Sequence, residues 1–414
     1  MHPPVHCLRK RPLVWLSCAL LTVAGPAAAQ TFREALTAAE RADAQFNVAL
    51  ANVANRKVQV QEAKSAFYPS ATVSYSRADL TAGANSASYS ATIIQPLLSY
   101  DRYLTLQQVD PIAALVVAEE RQARNELALR LFRVMADIIR NREAIRSISV
   151  QLEGLETQLK RAQRMRELGQ GTITEVSDYE VRLAVAQANR VSQRSNLDAA
   201  LRNFTLITGL QAQPDRVSVS DAAPGVRPAD ENSFVTRVRE TAMPVVSARQ
   251  GLRLQEIAVK RLRSEFLPSV VAVAGRGRSA GATSSYTDTR VGIVFNAPLG
   301  AGQWFNAQRA ATDLQRAQES LRLAQDNAAN EAQRLWKSSE SLDTEVQIRR
   351  RAVEAAKLAL EGNIKSYQGG VKSNIDVVTS YQNLADAETA LVNSEVARTD
   401  TLLTIRLLDP ETAR

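Results

Sequence analysis

The chain is written twice. Ala66-Phe67-Tyr68-Pro69-Ser70 returns about 200 residues later as Glu265-Phe266-Leu267-Pro268-Ser269, and each copy leads into a Ser/Thr/Val-rich alternating stretch, a Pro-Leu and a very long helical segment. The long segments also end alike, at Gly169-Gln170-Gly171-Thr172-Ile173-Thr174-Glu175-Val176 and at Gly370-Val371-Lys372-Ser373-Asn374-Ile375-Asp376-Val377. So long a period is a duplicated half-protein, not a solenoid unit, and a ring built from it has twice the pseudo-symmetry of its subunit count. Such a repeat points to a symmetric assembly rather than to a catalytic pocket.

Each half reads as helix, strand, strand, long helix, helix: near 31–67, 69–78, 88–97, 101–168 and 173–209, then near 231–266, 268–278, 288–297, 303–368 and 374–408. In the first long helix Leu127, Leu131, Val134, Ile138, Ile145, Ile148, Leu152, Leu155 and Leu159 keep a four-three apolar spacing, interrupted where Asn141 takes a seam position. Leu314, Ala317, Leu321, Ala324, Ala328, Leu335, Leu342, Val346, Val353, Ala356, Leu360 and Tyr367 do the same in the second, with small residues that let helices approach closely. At about 1.5 Å per residue a long helix spans roughly 100 Å and a shorter one roughly 55 Å, so two short helices end to end match one long one. Residues 211–230, with Pro214, Pro224, Gly225 and Pro228, have the composition of a linker between a first repeat, 30–210, and a second, 231–414.

The strands have the length of tilted membrane strands. Ala71, Val73 and Tyr75 alternate with Ser70, Thr72, Ser74 and Ser76; Val291, Ile293 and Phe295 alternate with Arg290, Gly292, Val294 and Asn296. That pattern suits a barrel with lipid outside and water inside, and equally an ordinary half-buried sheet. Four strands cannot close a porous barrel, so the membrane reading demands an oligomer. The Ser/Ala/Gly/Thr-rich loops 79–87 and 279–287 would be its exposed tips.

Residues 1–29 read as a cleaved secretory signal: Arg9-Lys10-Arg11, the apolar run Leu13 to Val23, then Ala27-Ala28-Ala29, with the mature start at Gln30. Trp15-Leu16-Ser17 is a poor approach to a lipidated Cys18. Cys7, Cys18, His2 and His6 are all the cysteines and histidines in the sequence, and all leave with the signal. Thiolate and imidazole metal sites, Cys nucleophiles and Ser-His-Asp triads are thereby excluded. No catalytic residue, metal or cofactor is expected. The signal carries three of the Lys/Arg and no acid, so the net charge falls from +8 to +5. Those charges are spread along helices rather than clustered as a nucleic-acid footprint would be.

The signal, the duplicated halves, the strand pairs between long helices and the turns running into Glu175-Val176 and Asp376-Val377 together resemble the TolC family of outer-membrane efflux and secretion channels. The likeness covers essentially the whole mature chain; its most specific pieces are Gly169 to Val176 with the helix through Leu206-Ile207-Thr208-Gly209, and Tyr367 to Val377. It implies a mainly α fold with a small β part: a homotrimer whose twelve strands form one barrel in the outer membrane of a Gram-negative cell and whose twelve helices form a tunnel into the periplasm. It further implies a passive exit duct of a tripartite export system, for type I protein secretion or multidrug efflux. The implied partners are a periplasmic membrane-fusion adaptor, an inner-membrane ABC or RND-type transporter and outer-membrane lipid, with no nucleic acid.

By motif position, the resemblance makes Thr174 and Glu175 in the first half and Tyr367 and Lys372 in the second the links that shut the periplasmic end. Glu and Lys stand where the best-known member has Asp and Arg; charge is kept, yet Lys lacks the bidentate fork of Arg. Asp376 would line the entrance as an acidic ring, with Thr379 where that member has a second acid. Gly169, Gly171, Gly369 and Gly370 read as helix C-caps with positive φ, and in the family such tips also meet the adaptor. A simpler account of the same residues exists: Glu175 favouring a helix dipole, Lys372 solvated in a turn, Tyr367 filling a seam. Two rivals differ in class. A periplasmic structural coiled coil would not span the membrane, and a carboxylate-dependent hydrolase would need two acids converging on a pocket.

Overall fold

A computed structural model of the chain describes residues 30–78, 86–223, 227–264, 266–281, 284–296 and 301–409. The signal segment, residues 79–85 and 282–283 of the two loop tips, Pro224 and Gly225 lie outside the described residues. In chain order the elements are β1 (Gln30–Thr31), α1 (Phe32–Ala42), α2 (Ala44–Lys64), a 3-10 turn Ser65–Phe67, β2 (Ser70–Ala78), β3 (Ser86–Leu98), α3 (Tyr100–Gln107), α4 (Val109–Glu167) and α5 (Ile173–Thr208). There follow a 3-10 turn Pro214–Arg216, β4 (Val217–Ser218), α6 (Glu231–Thr241), α7 (Met243–Ser264), β5 (Ser269–Ala280), β6 (Ser285–Asn296), α8 (Ala301–Gln368) and α9 (Asn374–Leu408). The fold is mainly helical with one four-stranded antiparallel sheet among the described residues. No described helix is long and apolar enough to cross a membrane.

The alternation of long rods and stacked short ones is present. α5 packs along one stretch of α4 and α2 along another, with α1 meeting both; α9, α6 and α7 do the same for α8. At 68 residues, α8 is about 100 Å long. Seam residues Leu127, Leu131, Ile138, Leu152, Leu155, Leu335, Val346 and Val353 are buried.

Three helices expected to be continuous are divided, each for a local reason. In 31–67 the break is Asp43, whose extended backbone ends α1 while its Oδ1 accepts the Phe46 N–H at 2.5 Å to begin α2. In 231–266 it is Ala242, just ahead of Pro244. A proline has no N–H to give and fits only the first turn of a new helix. Pro111 plays the same part in α4, which starts anew after Gln108.

The 211–230 segment is more than a tether. β4 pairs in parallel with β1, Gln30 opposite Val217 and Thr31 opposite Ser218. The Asp221 carboxylate accepts the Phe32 and Arg33 N–H groups, both at 3.0 Å, and so caps α1 across the repeat boundary. Val217, Val219 and Ala222 join the core of Phe32, Phe132, Met135 and Phe204, in which Phe32 meets Phe132 edge-on at 6.2 Å. Trp336 of α8 donates to the Pro228 carbonyl at 3.2 Å and carries the Arg227 guanidinium over its ring at 4.5 Å.

Candidate functional site

Two places carry the sequence's unusual residues: the sheet at one end of the rods and the paired turns at the other. The sheet order is β2-β3-β5-β6, so the two halves' hairpins join through β3 and β5, and β2 and β6 are edges with no partner strand among the described residues. Register places Ala71, Ile93, Ala274 and Val291 in one row. Directly opposed residues share a face, so the apolar sets read from β2 and β6 lie on the same side. On that side Val73, Tyr75, Tyr89, Ile93, Val291, Ile293 and Phe295 are all exposed, Val73 and Val291 at 82%. The other side is Ser/Thr/Gly-rich. Ser74 and Ser90 hydroxyls lie 2.6 Å apart, Ser76 and Ser88 2.7 Å, and Asp288 pairs with Arg290 at 2.8 Å. In the middle of β3 and β5 the polar-side residues are half-buried while Tyr89, Ala91, Ile93, Ala274, Arg276 and Arg278 on the other side are exposed, so the apolar side is the open face and the polar side the sheltered one.

Where strands meet helices, the surface turns aromatic. Tyr68, Tyr100, Tyr103, Phe266, Trp304 and Phe305 are exposed there, with Leu97, Leu98 and Leu267 among them. At the far end Tyr75 and Tyr89 pack at 4.8 Å between ring centroids. An apolar band bounded by aromatic residues at both rims is the surface a lipid-facing barrel wall requires.

At the opposite end, α4 and α8 close with the same turn. Gly169 has φ 73° and Gly370 φ 74°. Gln170 donates to the Met165 carbonyl and Val371 to the Ser366 carbonyl, both at 2.9 Å, which is the Schellman pattern. Thr172 and Ser373 then cap the next helices: the Glu175 N–H donates to Thr172 Oγ1 at 3.2 Å, and Asp376 Oδ2 accepts from the Ser373 hydroxyl and N–H at 2.8 and 2.9 Å. Glu175 and Asp376 are thus equivalent third residues of equivalent helices. The Ser373 hydroxyl, then its N–H, and nearby Lys372 hold the Asp376 carboxyl below its ordinary pKa.

Side chains bridge the two hairpins. The Arg161 guanidinium lies 4.4 Å from the Tyr367 ring centroid. Gln151 of α4 donates to Gln382 of α9. Tyr381 lies so close to Gly154 that a Cβ there would come within 2.7 Å of its ring. Tyr179, buried beside these turns, has its phenol pKa pushed up by burial first and then by Tyr367 and Glu175.

The family model described as outer membrane efflux protein matches residues 237–409. Outer membrane efflux protein BepC of Brucella suis is 24% identical over 399 residues, covering 92% of this chain and 85% of that one. Alkaline protease secretion protein AprF of Pseudomonas aeruginosa is 26% identical over 310 residues, 71% of this chain, a stretch spanning 63% of AprF. The fold matches the crystal structures of VceC from Vibrio cholerae (TM-score 0.73, 16% identity, 91% of this chain and 96% of that one) and CmeC from Campylobacter jejuni (0.75, 14%, 91% and 85%). The chain is thus similar over most of its length to outer-membrane efflux and secretion proteins, TolC of Escherichia coli among them at 20% identity over 328 residues.

Thr174 and Glu175 sit exposed in the first turn of α5, at a depression of about 340 Å³ shared with Tyr179, Ser373 and Ile375. Lys372 is exposed in the turn before α9, and Tyr367 is half-buried under Arg161. Among the described residues no hydrogen bond or ion pair joins these four to one another. Of the tip glycines, Gly171 and Gly369 do not take positive φ, contrary to expectation. Gly171 is held to small size instead, since a Cβ would lie 3.0 Å from the Arg166 nitrogen as the turn folds back on α4. Arg161, Tyr179 and the Gly154–Tyr381 contact were not anticipated from the sequence. Gly154 was the available signal, because a glycine inside a long helical run marks a close approach.

Proposed function

We propose that the chain is one subunit of a passive outer-membrane exit duct, a homotrimer serving type I protein secretion and small-molecule export. The observation that carries this reading is the sheet: an exposed apolar face, a sheltered Ser/Gly face and two edges unpaired among the described residues, at the end of rods about 100 Å long. Pairing β6 of one copy with β2 of the next removes every edge and gives twelve strands around a polar lumen. The helices of three copies then continue the lumen as a tunnel into the periplasm. A periplasmic membrane-fusion adaptor at the Gly169–Gly171 and Gly369–Gly370 tips, and an inner-membrane ABC or RND-type transporter behind it, supply the drive. The chain performs no reaction. The names of relatives, a protease secretion protein and an efflux protein, support both cargo classes.

In this reading Thr174, Glu175, Tyr367 and Lys372 form the periplasmic gate between neighbouring coiled coils, and three copies of Asp376 ring the entrance. Links of about 1 kcal/mol each bias a closed state and still yield to a partner. Fractionation with sizing of the extracted protein tests the assembly. A three-copy species in the outer membrane is expected; a soluble periplasmic protein would establish the structural coiled coil in its place.

A further inference from the structure

The open face of the sheet is not apolar throughout. Arg276 shares a row with Val73 and Ala91, Arg278 with Tyr75 and Tyr89, and Arg77 with Ala87 and Ala280, all on the face that carries Val73 and Ile93. Arg276 and Arg278 are exposed. The described part of β2, β3, β5 and β6 contains one acid, Asp288, and it lies on the sheltered face with Arg290. The open face therefore carries three guanidinium groups and no carboxylate among its described residues. Arg276, Arg278, Tyr89 and Thr287 also line a depression of about 370 Å³.

Arginines on a lipid-facing surface are tolerated at the interface and costly at the bilayer centre, so these rows mark the outer headgroup plane. Below them run Ala71, Ile93, Ala274, Val291, Ile293 and Phe295, suited to acyl chains. The Tyr75–Tyr89 pair sits at the same level, where an amphipathic ring belongs. Guanidinium forks match phosphate oxygens bidentately. We propose that Arg276 and Arg278, flanked by Tyr89 and Thr287, form a binding site for the phosphates of an anionic glycolipid of the outer leaflet, three such sites to a trimer. Charge sets the occupant: a face whose described residues carry Arg276 and Arg278 and no carboxylate, above an apolar band, fits a lipid that carries phosphate at its headgroup. This inference rests on the membrane-spanning reading above.

The test uses the full chain, exported by its own signal and extracted from outer membranes as the assembled trimer, with lipid binding followed by native mass spectrometry. The probes are a diphosphorylated, acylated glucosamine disaccharide, the same lipid with its phosphates removed, phosphatidylglycerol and inorganic phosphate. The phosphorylated disaccharide is expected to bind the wild type at least tenfold more tightly than it binds the Arg276→Gln/Arg278→Gln trimer, and the dephosphorylated lipid to bind both weakly. Arg278→Lys should fall between, and Arg290→Gln, on the sheltered face, should match the wild type. If the double variant fails to assemble, Arg276→Gln and Arg278→Gln singly are each expected to lose about threefold. Undiminished binding in the variants overturns the site. So does equal binding of phosphatidylglycerol, or capture of inorganic phosphate as tight as that of the lipid. A wild-type protein absent from the membrane would instead sink the duct reading, whereas a membrane trimer that ignores the glycolipid sinks this inference alone.

Discussion

Replacing Arg161 is expected to loosen the periplasmic end without unfolding it. The guanidinium stands 4.4 Å over Tyr367, linking α4 of one hairpin to α8 of the other. Because Arg161 is exposed, the contact belongs at the weak end of such pairs, about 0.5–1 kcal/mol. In a trimer whose three copies open together that amounts to about 1.5–3 kcal/mol, a shift of roughly 10- to 150-fold in the open-to-closed ratio. Single-channel recording of Arg161→Gln should show the rise. Arg164→Gln, whose residue pairs with Glu167 of its own helix at 2.8 Å, should show none. Tyr367→Phe keeps the ring that Arg161 covers and loses only the hydroxyl available to the gate, so it should open less than Tyr367→Ala. An open probability unchanged in Arg161→Gln, or a Tyr367→Phe channel as open as Tyr367→Ala, would refute the reasoning.

Gly154→Ala would ordinarily strengthen a helix interior, but here the added Cβ meets the Tyr381 ring at 2.7 Å; a loss of about 1–3 kcal/mol is expected by thermal melting, relieved by Tyr381→Leu. Asp221→Ala removes the acceptor for two N–H groups of α1, so a loss of about 1–2 kcal/mol and faster amide exchange at Phe32 and Arg33 should follow. Burial pushes the Asp400 carboxyl pKa up, opposed by Arg133 and Arg140, and its Oδ1 has no hydrogen-bond partner among the described residues. A folded pKa above the unfolded one means stability that is present below the unfolded value and lost as pH rises through the folded value. Asp400→Asn should therefore melt higher than wild type near pH 7, with the difference vanishing in acid.

Periodicity made most of the architecture legible. The four-three seam of Leu127 to Leu159 reports on burial, and the alternation of Val73 with Ser74 reports which face of the sheet each side chain takes. The helix breaks at Asp43 and Ala242 depend on one or two residues, and their marks, an N-cap acid and Pro244, are weak beside a long apolar rhythm. The strap at 217–223 has the look of a linker in the sequence because the proline-rich composition around it hides a two-residue strand and a cap supplied from 189 residues away. At the turns, the repeated glycine and acid positions were visible, but sequence spacing could not say that Glu175 and Asp376 stand as equivalent third residues of capped helices. Nor could it bring Arg161 to Tyr367, a contact between helices more than 200 residues apart. Neighbours across the coiled coils are set by packing, which no local pattern encodes.

The most direct test of the duct is single-channel conductance of the assembled mature protein in a planar bilayer, beside Glu175→Ala and Lys372→Ala. A small, cation-selective conductance that rises sharply in either variant is the expected result, since each removes a link proposed to hold the entrance shut. A properly assembled trimer that conducts no ions, in the wild type and in both variants, would contradict the account, because the sheet would then not be the wall of a pore.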